Sequence, residues 1–305
     1  MALLFGPVRS RRLGLSLGLE LVPKKICSMD CLYCEVGKTT NLTTERKAYY
    51  SWESIEKALY AAQSREETFD VLTITGSGEP TLNIYFEKTV KLAKELISKP
   101  VAVLTNSTTL EEVSIIEALA QVDLVLASLD SAREKSFKLV NRPAKGVSLA
   151  AIVEGLKTLK ETMRGEMWLE VLLVKGINDS PEDIEALKRA IEYIKPHRVQ
   201  LNTVVRPPAY AVARPLSWEE LEEIKEQLYP YAEIITPGGS KSSPITTTEN
   251  QEEALKEYLS RRPAPLEELI AIFGKEVELN FYLEKLVREG KIKKITHQGE
   301  TFYIS

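Results

Sequence analysis

Apolar and polar residues change period about six times along the first two hundred positions. Residues 13–22 alternate leucine with small side chains and read as a strand. Residues 70–75 form a β-rich run ended by Gly76, and Pro100 starts another at 101–105. Further strands are expected at 123–129, 168–174 and 198–204. Between them the apolar spacing lengthens to that of a helix. Ser51 caps a stretch carrying Trp52, Ile55, Leu59 and Tyr60. Residues 82–97 keep the helical period. A Thr109-Leu110-Glu111-Glu112 capping box opens the next helix. Residues 149–163 form one closed by Gly165, and Ser180-Pro181 start one that reaches Ile194. Ser217-Trp218-Glu219-Glu220 caps one more. Strands alternating with helices imply parallel strands joined by right-handed crossovers. The expected fold is therefore α/β, with strands covered by helices on the sheet faces. Six units are too few for a closed eight-unit barrel, and in such folds chemistry gathers at the C-terminal strand ends.

The pattern breaks after residue 236. Residues 237–250 are rich in Gly, Ser, Thr and Pro and read as a linker. Residues 251–305 then show helices at 252–259, 266–273 and 276–289, the last ended by Gly290. Two short β-rich pieces surround Gln298-Gly299. Three helices and a hairpin read as a small winged-helix-like domain, so the expected division is 1–236, 237–250 and 251–305. Charge argues against a DNA-binding role for it. The segment holds nine Lys and Arg against ten Asp and Glu. Its candidate recognition helix carries Glu276, Glu278, Glu284 and Glu289 against Lys285 and Arg288, where a phosphate-facing helix should be basic. Lys291, Lys293 and Lys294 are its basic cluster. Protein or peptide docking, or dimerisation, is at least as well supported.

Composition adds bounds. The 305 residues are 44% hydrophobic, enough for one large domain and an appendage. The net charge of −4 gives no bulk attraction to nucleic acid. Locally, residues 1–25 carry Arg9, Arg11, Arg12, Lys24 and Lys25 against Glu20 alone, which is either a solvated face or a site for an anionic substrate or cofactor carboxylate. No run of eighteen apolar residues predicts a membrane span, and the apolar start is too short for a signal peptide. The chain has three cysteines and no pair to spare for a disulfide, which suits a reducing compartment, so a cytoplasmic location is expected.

All three cysteines lie in one stretch, Cys27-Ser28-Met29-Asp30-Cys31-Leu32-Tyr33-Cys34. Spacings of three and then two residues let one loop curl three thiolates around an iron–sulfur cluster. Three thiolates leave one iron of a four-iron cluster open to a substrate. Scattered core thiols and a partial zinc site are the other readings. His197 and His297 are both remote in sequence. Glu79, in Thr73-Ile74-Thr75-Gly76-Ser77-Gly78-Glu79-Pro80, follows a glycine-flanked turn at a strand end. There its carboxylate can accept from an ammonium group, or simply cap a helix that starts at Pro80. Asn106, Ser128 and Asp130 end the third and fourth strands and Asn202 the sixth; they suit ribose or carboxylate contacts, or ordinary turns.

The C-x3-C-x2-C loop, with Tyr33 before its last cysteine, resembles the signature of the radical S-adenosylmethionine (radical SAM) superfamily. The segments 5–14 and 73–80 resemble its branch related to wyosine (tRNA) synthetases. The resemblance implies an open six-unit (β/α) partial TIM barrel, a [4Fe-4S] cluster on Cys27, Cys31 and Cys34, and SAM bound near Tyr33 and the Gly76, Ser77, Gly78 and Glu79 segment. It further implies an external electron donor and a 5′-deoxyadenosyl radical that abstracts hydrogen from substrate. No cysteine remains for the second cluster that wyosine synthetases carry, so their reaction is not implied. The expected substrate is macromolecular, tRNA slightly ahead of a peptide or protein. An iron–sulfur redox sensor that binds DNA is the rival of another class, and it leaves residues 76–80 without a role.

Overall fold

A computed structural model of the chain describes residues 3–228, 232–235, 251–274 and 276–305. It opens with a strand that the alternation misses. β1 (Leu4–Ser10) runs antiparallel to β2 (Gly14–Glu20), and the run expected at 13–22 is β2 alone. β1 has no clean period of two, because Gly6-Pro7 interrupts it and its last two residues, Arg9 and Ser10, are basic and polar. The two-residue strands β3 (Ile26–Cys27) and β4 (Asn41–Leu42) then pair across the cysteine loop. The alternation proper follows as α1 (Trp52–Gln63), β5 (Val71–Thr75), α2 (Phe86–Leu96), β6 (Val101–Thr105), α3 (Val113–Leu119) and β7 (Leu124–Ser128). It continues as α4 (Glu134–Val140), α5 (Leu149–Thr162), β8 (Glu166–Leu173), α6 (Pro181–Ile194), β9 (Arg198–Thr203), α7 (Trp218–Leu228) and β10 (Ala232–Ile234).

These strands form one eight-stranded sheet in the order β1-β2-β5-β6-β7-β8-β9-β10. Every pairing after the first is parallel. Six of the parallel strands are those the pattern predicts, and β10, three residues long, adds a seventh. Among the described residues the sheet stays open, with β1 and β10 as its edges. Leu17, Ile74, Val103, Val125 and Leu169 on the strands pack against Leu59, Phe86, Leu119 and Leu156 on the helices in one continuous core. Burying each such side chain contributes about 1.5–3 kcal/mol.

Serines start three helices, Ser51 and Ser180 as expected and Ser148 in addition. Ser51, Ser148 and Ser180 accept from the amides of Ser54, Ala151 and Asp183. At α7 the reciprocal box forms, with Glu220 N–H on Ser217 Oγ (3.3 Å) and Ser217 N–H on Glu220 Oε2 (2.8 Å). The box expected at Thr109 does not form. Thr109 Oγ1 donates to Thr81 Oγ1 at 2.7 Å, and α3 starts four residues later without a side-chain cap. The tertiary hydroxyl wins over the local one.

Beyond residue 250 come α8 (Gln251–Arg261), β11 (Ala264–Pro265), α9 (Leu266–Phe273), α10 (Glu276–Arg288) and the hairpin of β12 (Lys293–His297) and β13 (Glu300–Ile304). Leu255, Leu259, Leu269, Leu283 and Leu286 form a separate core. The linker expected at 237–250 lies outside the described residues. This C-terminal module touches the sheet at two distant strand ends. Just past β2, Lys24 Nζ donates to the Ser260 carbonyl at 2.8 Å. Just past β9, the Val204 carbonyl receives His297 Nε2 (3.0 Å) and Gln298 Nε2 (2.7 Å) from the hairpin turn. The module therefore straddles the C-terminal end of the sheet. Among the described residues no helix is long and apolar enough to cross a membrane.

Gly155 shows how tightly helices pack here. A Cβ on it would lie 2.4 Å from Leu110 Cβ and 2.6 Å from the Leu110 carbonyl oxygen. Alanine for glycine inside a helix ordinarily stabilises by about 1 kcal/mol. Here Gly155→Ala is expected to destabilise by about 1–3 kcal/mol through overpacking. Urea denaturation checks this, and a midpoint equal to or above that of the wild type would refute it.

Candidate functional site

The cysteine loop is held from both sides by backbone. On one side it meets the end of α4: Leu32 N–H donates to the Val140 carbonyl (2.9 Å), Asp30 N–H to that of Asn141 (3.0 Å), and Ala144 N–H to that of Ser28 (2.9 Å). α4 itself was not predicted, because its seven residues are too few for a clear period. On the other side the loop meets the turn after β5. Lys25 N–H donates to the Ser77 carbonyl (2.8 Å) and Glu79 N–H to that of Ile26 (3.1 Å). Gly78 permits this approach, since a Cβ there would lie 1.8 Å from the Ile26 carbonyl oxygen. The cysteine stretch and the Gly-Ser-Gly-Glu-Pro segment are thus two halves of one backbone assembly.

Each sulfur receives a side-chain N–H donor. Asn106 Nδ2 points at Cys27 Sγ (3.4 Å), Asn141 Nδ2 at Cys31 Sγ (3.5 Å) and Lys25 Nζ at Cys34 Sγ (3.1 Å). Donors aimed at sulfur stabilise thiolate charge on a bound metal group. Without one, burial pushes the Cys27 thiol up to about 12, with Glu79 adding to it. Burial and then Asp130 push Cys31 well above the ordinary thiol value. Both are therefore neutral thiols until metal displaces their protons. The donor set fits an iron–sulfur cluster, in which three thiolates bind three separate irons. The single-ion zinc reading fits poorly. His197 Nδ1 accepts from Met167 N–H (2.9 Å), and His297 sits on Val204. Among the described residues no three His, Cys, Asp or Glu side chains close on one ion.

The Glu79 carboxylate is turned into the protein, at 1% exposure. Its Oε1 accepts from Thr81 N–H (3.2 Å), Thr81 Oγ1 (2.7 Å) and Thr105 Oγ1 (2.9 Å), and its Oε2 from Asn106 N–H (2.7 Å). It caps the short 3-10 turn Pro80–Leu82 and ties it to the end of β6. Four donors on a buried carboxylate leave it little capacity for a ligand ammonium, so the capping alternative describes its contacts. Asn106 is likewise committed, to Ser28 Oγ (3.0 Å), Cys27 and Thr108.

The other expected residues line two cavities at the sheet's C-terminal end. Tyr33 and Cys34 face Ser128, Asp130 and Asn202 across one of about 240 Å³. Gly76 and Ser77 line the other, of about 210 Å³, between the β1–β2 hairpin and α8. Tyr33 Oη donates to Asp130 Oδ2 (2.5 Å), which also takes Asn141 Nδ2 (2.5 Å), while Leu172 N–H reaches Asp130 Oδ1 (2.9 Å). Burial outweighs these donors and raises Asp130 to about 6. Asn202 Nδ2 donates to Glu170 Oε1 at 3.1 Å, and Glu170 pairs with Arg12 at 2.8 Å.

Sequence reasoning missed Glu20 and Glu170. Glu20 Oε1 accepts from Ser77 N–H (2.9 Å) and from the Ser77 hydroxyl, so it braces the turn that carries Gly76. Glu20 ends the apolar strand β2 and Glu170 stands between apolar neighbours in β8. That is the signal which could have found them, since an acid there must meet a cation or a donor.

A family model of the radical SAM superfamily matches residues 21–191. A UPF0026 protein of Methanocaldococcus jannaschii is 34% identical, the match covering 100% of this chain and 96% of that one. A protein named GTPase Obg of Brachyspira hyodysenteriae is 35% identical over 98% of this chain, which spans only 44% of its length. A more distant relative, an RNA methyltransferase named RlmN of Endomicrobium trichonymphae, is 27% identical over 54% of this chain and 48% of its own. Among solved structures, SuiB of Streptococcus suis bound to S-adenosylmethionine superposes with a TM-score of 0.53 at 18% identity, covering 73% of this chain and 51% of that one; this is a likeness of fold.

Two outcomes follow from the geometry. Gly78→Ala should keep the far-ultraviolet circular dichroism of the wild type yet bind severalfold less iron on anaerobic reconstitution, because the loop can no longer seat. Unchanged iron content would show that the close approach is dispensable. Asp130 titrates higher in the folded chain than its ordinary value of about 3.9. Its contribution to stability is therefore full below about pH 4 and lost as pH rises through about 6. In the iron-free protein, the wild type should lose about 3 kcal/mol relative to Asp130→Asn between about pH 4 and 7, read from denaturation at each pH. Parallel pH profiles would refute it.

Proposed function

The chain belongs to the radical SAM superfamily, and we propose that its cluster is held by Cys27, Cys31 and Cys34. Radical SAM enzymes use a [4Fe-4S] cluster and S-adenosylmethionine. The observation that carries the ligand assignment is the convergence of Asn106, Asn141 and Lys25, one N–H donor on each of three thiols in a single loop. When bound, the cluster supplies the electron, from an external donor, that cleaves SAM to methionine and a 5′-deoxyadenosyl radical. The chain's own residues position and enclose. In this reading SAM lies in the cavity of Tyr33, Ser128, Asp130 and Asn202, and the turn of Gly76, Ser77, Gly78 and Glu79 holds the cysteine loop beside it. Water is excluded by the C-terminal module across the strand ends.

The substrate in this reading is a macromolecule, RNA before protein, and the protein is cytoplasmic. The distant likeness to a probable RNA methyltransferase supports RNA. The module, read as a winged-helix-like domain at 251–305 joined by a linker at 237–250 to a barrel domain at 1–236, supports the peptide or protein alternative. Lys294 pairs with Glu284 and Lys291 with Glu289, so its basic cluster is largely neutralised by its own acids. The hairpin turn is spent on Val204, which weighs against a DNA-reading regulator.

The test is anaerobic reconstitution with iron and sulfide, reduction, and measurement of 5′-deoxyadenosine from SAM. The wild type should form it, and Cys31→Ala should lose both cluster absorbance and product. A Cys31→Ala variant that keeps full absorbance and makes 5′-deoxyadenosine would end the assignment.

A further inference from the structure

The two cavities share a wall of four residues. Arg11 lines both the cavity beside Cys34 and the one beneath α8. Four of the guanidiniums around it are answered by carboxylates. Arg12 pairs with Glu170 (2.8 Å), Arg206 with Glu35 (3.0 Å) and Glu268 (2.7 Å), Arg262 with Glu268 (2.8 Å), and Arg261 with Glu20 (3.5 Å). Arg11 differs from these four. Its Nη1 is buried without a hydrogen-bond partner among the described residues. Glu35, the acid with the strongest pull on it, is already taken by Arg206. Burial lowers its ionisation, and Arg206 and Arg12 add to that as like charges. A guanidinium remains charged even so. A buried cation with unfilled donors, among other cations, is costly unless an anion completes it.

We propose that this cavity binds an oxyanion of the substrate, a phosphate or a carboxylate, on the unfilled Nη1 of Arg11, and that α8 completes the site from above. Arginine's planar fork takes either group in a bidentate manner. The place suits a substrate. Arg11, Arg12, Glu35 and Leu104 are shared with the cavity of Tyr33 and Cys34, so an anchored molecule would extend toward the cluster loop. α8 contributes Tyr258 and Arg261 to the wall and the residue after it contributes Arg262, which gives the C-terminal module a part in substrate binding. The assignment to substrate rests on the radical SAM reading proposed above; the anion site itself does not.

Thermal unfolding of the full chain, titrated with sodium phosphate or sodium acetate against chloride of equal ionic strength, tests it. One of the two anions should raise the Tm of the wild type in a saturable way, phosphate indicating a nucleotide-like source and acetate a carboxylate one. Arg11→Gln should weaken that response at least tenfold, while Arg189→Gln, on an exposed helical pair, should leave it intact. With no anion present Arg11→Gln should unfold about 2–4 °C higher than the wild type, since it removes an uncompensated buried charge. No response to either anion, or an unchanged response in Arg11→Gln, overturns the site. 5′-Deoxyadenosine formation by the wild type, followed in parallel, separates the two ideas. An anion response without SAM cleavage leaves the site and removes the radical reading; cleavage without an anion response does the reverse.

Discussion

The carbonyl oxygen of Ile26 occupies the space that a side chain at position 78 would need. That contact between two stretches of backbone fixes where Cys27 begins, because Ile26 is its neighbour. It also fixes the turn after β5, whose far side is braced by Glu20 and whose exit is clamped to β6 by Glu79. The sulfurs are thus positioned by the strand ends of the sheet, and strand ends are rigid in a way that a free loop is not.

The order of strands and helices was legible because both periods are clean where elements are long and buried. β5 to β9 and their helices fall within a few residues of expectation. β1 was hidden by Gly6-Pro7 and its basic end, α4 by its brevity, and β10 by having three residues. The three cysteines were legible because their spacing alone brings them together. The behaviour of Glu79 was less so. A carboxylate after a glycine turn looks the same in sequence whether it faces a ligand or caps a helix, and Thr105 and Asn106, the residues that claim it, lie more than twenty positions away. Long-range hydroxyl and amide partners decide such cases, as they did for Thr109 with Thr81.

The arginines near the N-terminus illustrate the same limit. In sequence they form one basic cluster. In the fold the β1–β2 hairpin turns Arg12 to Glu170 while leaving Arg11 between two cavities. Residues adjacent along the chain thereby take different roles: one neutralises a buried acid and the other keeps unfilled donors. Charge counts over a window cannot separate these, since the acid that answers Arg12 comes from β8, far along the chain.

The straddling position of that module has a consequence for how the protein is made. Its residues leave the ribosome after those of the sheet, and the sheet can form before them. During that interval the strand ends beside the cysteine loop are uncovered. Once α8 and the hairpin turn dock on Lys24 and Val204, the module spans them. Synthesis order therefore gives iron and sulfide a more open approach to the loop early than in the finished fold.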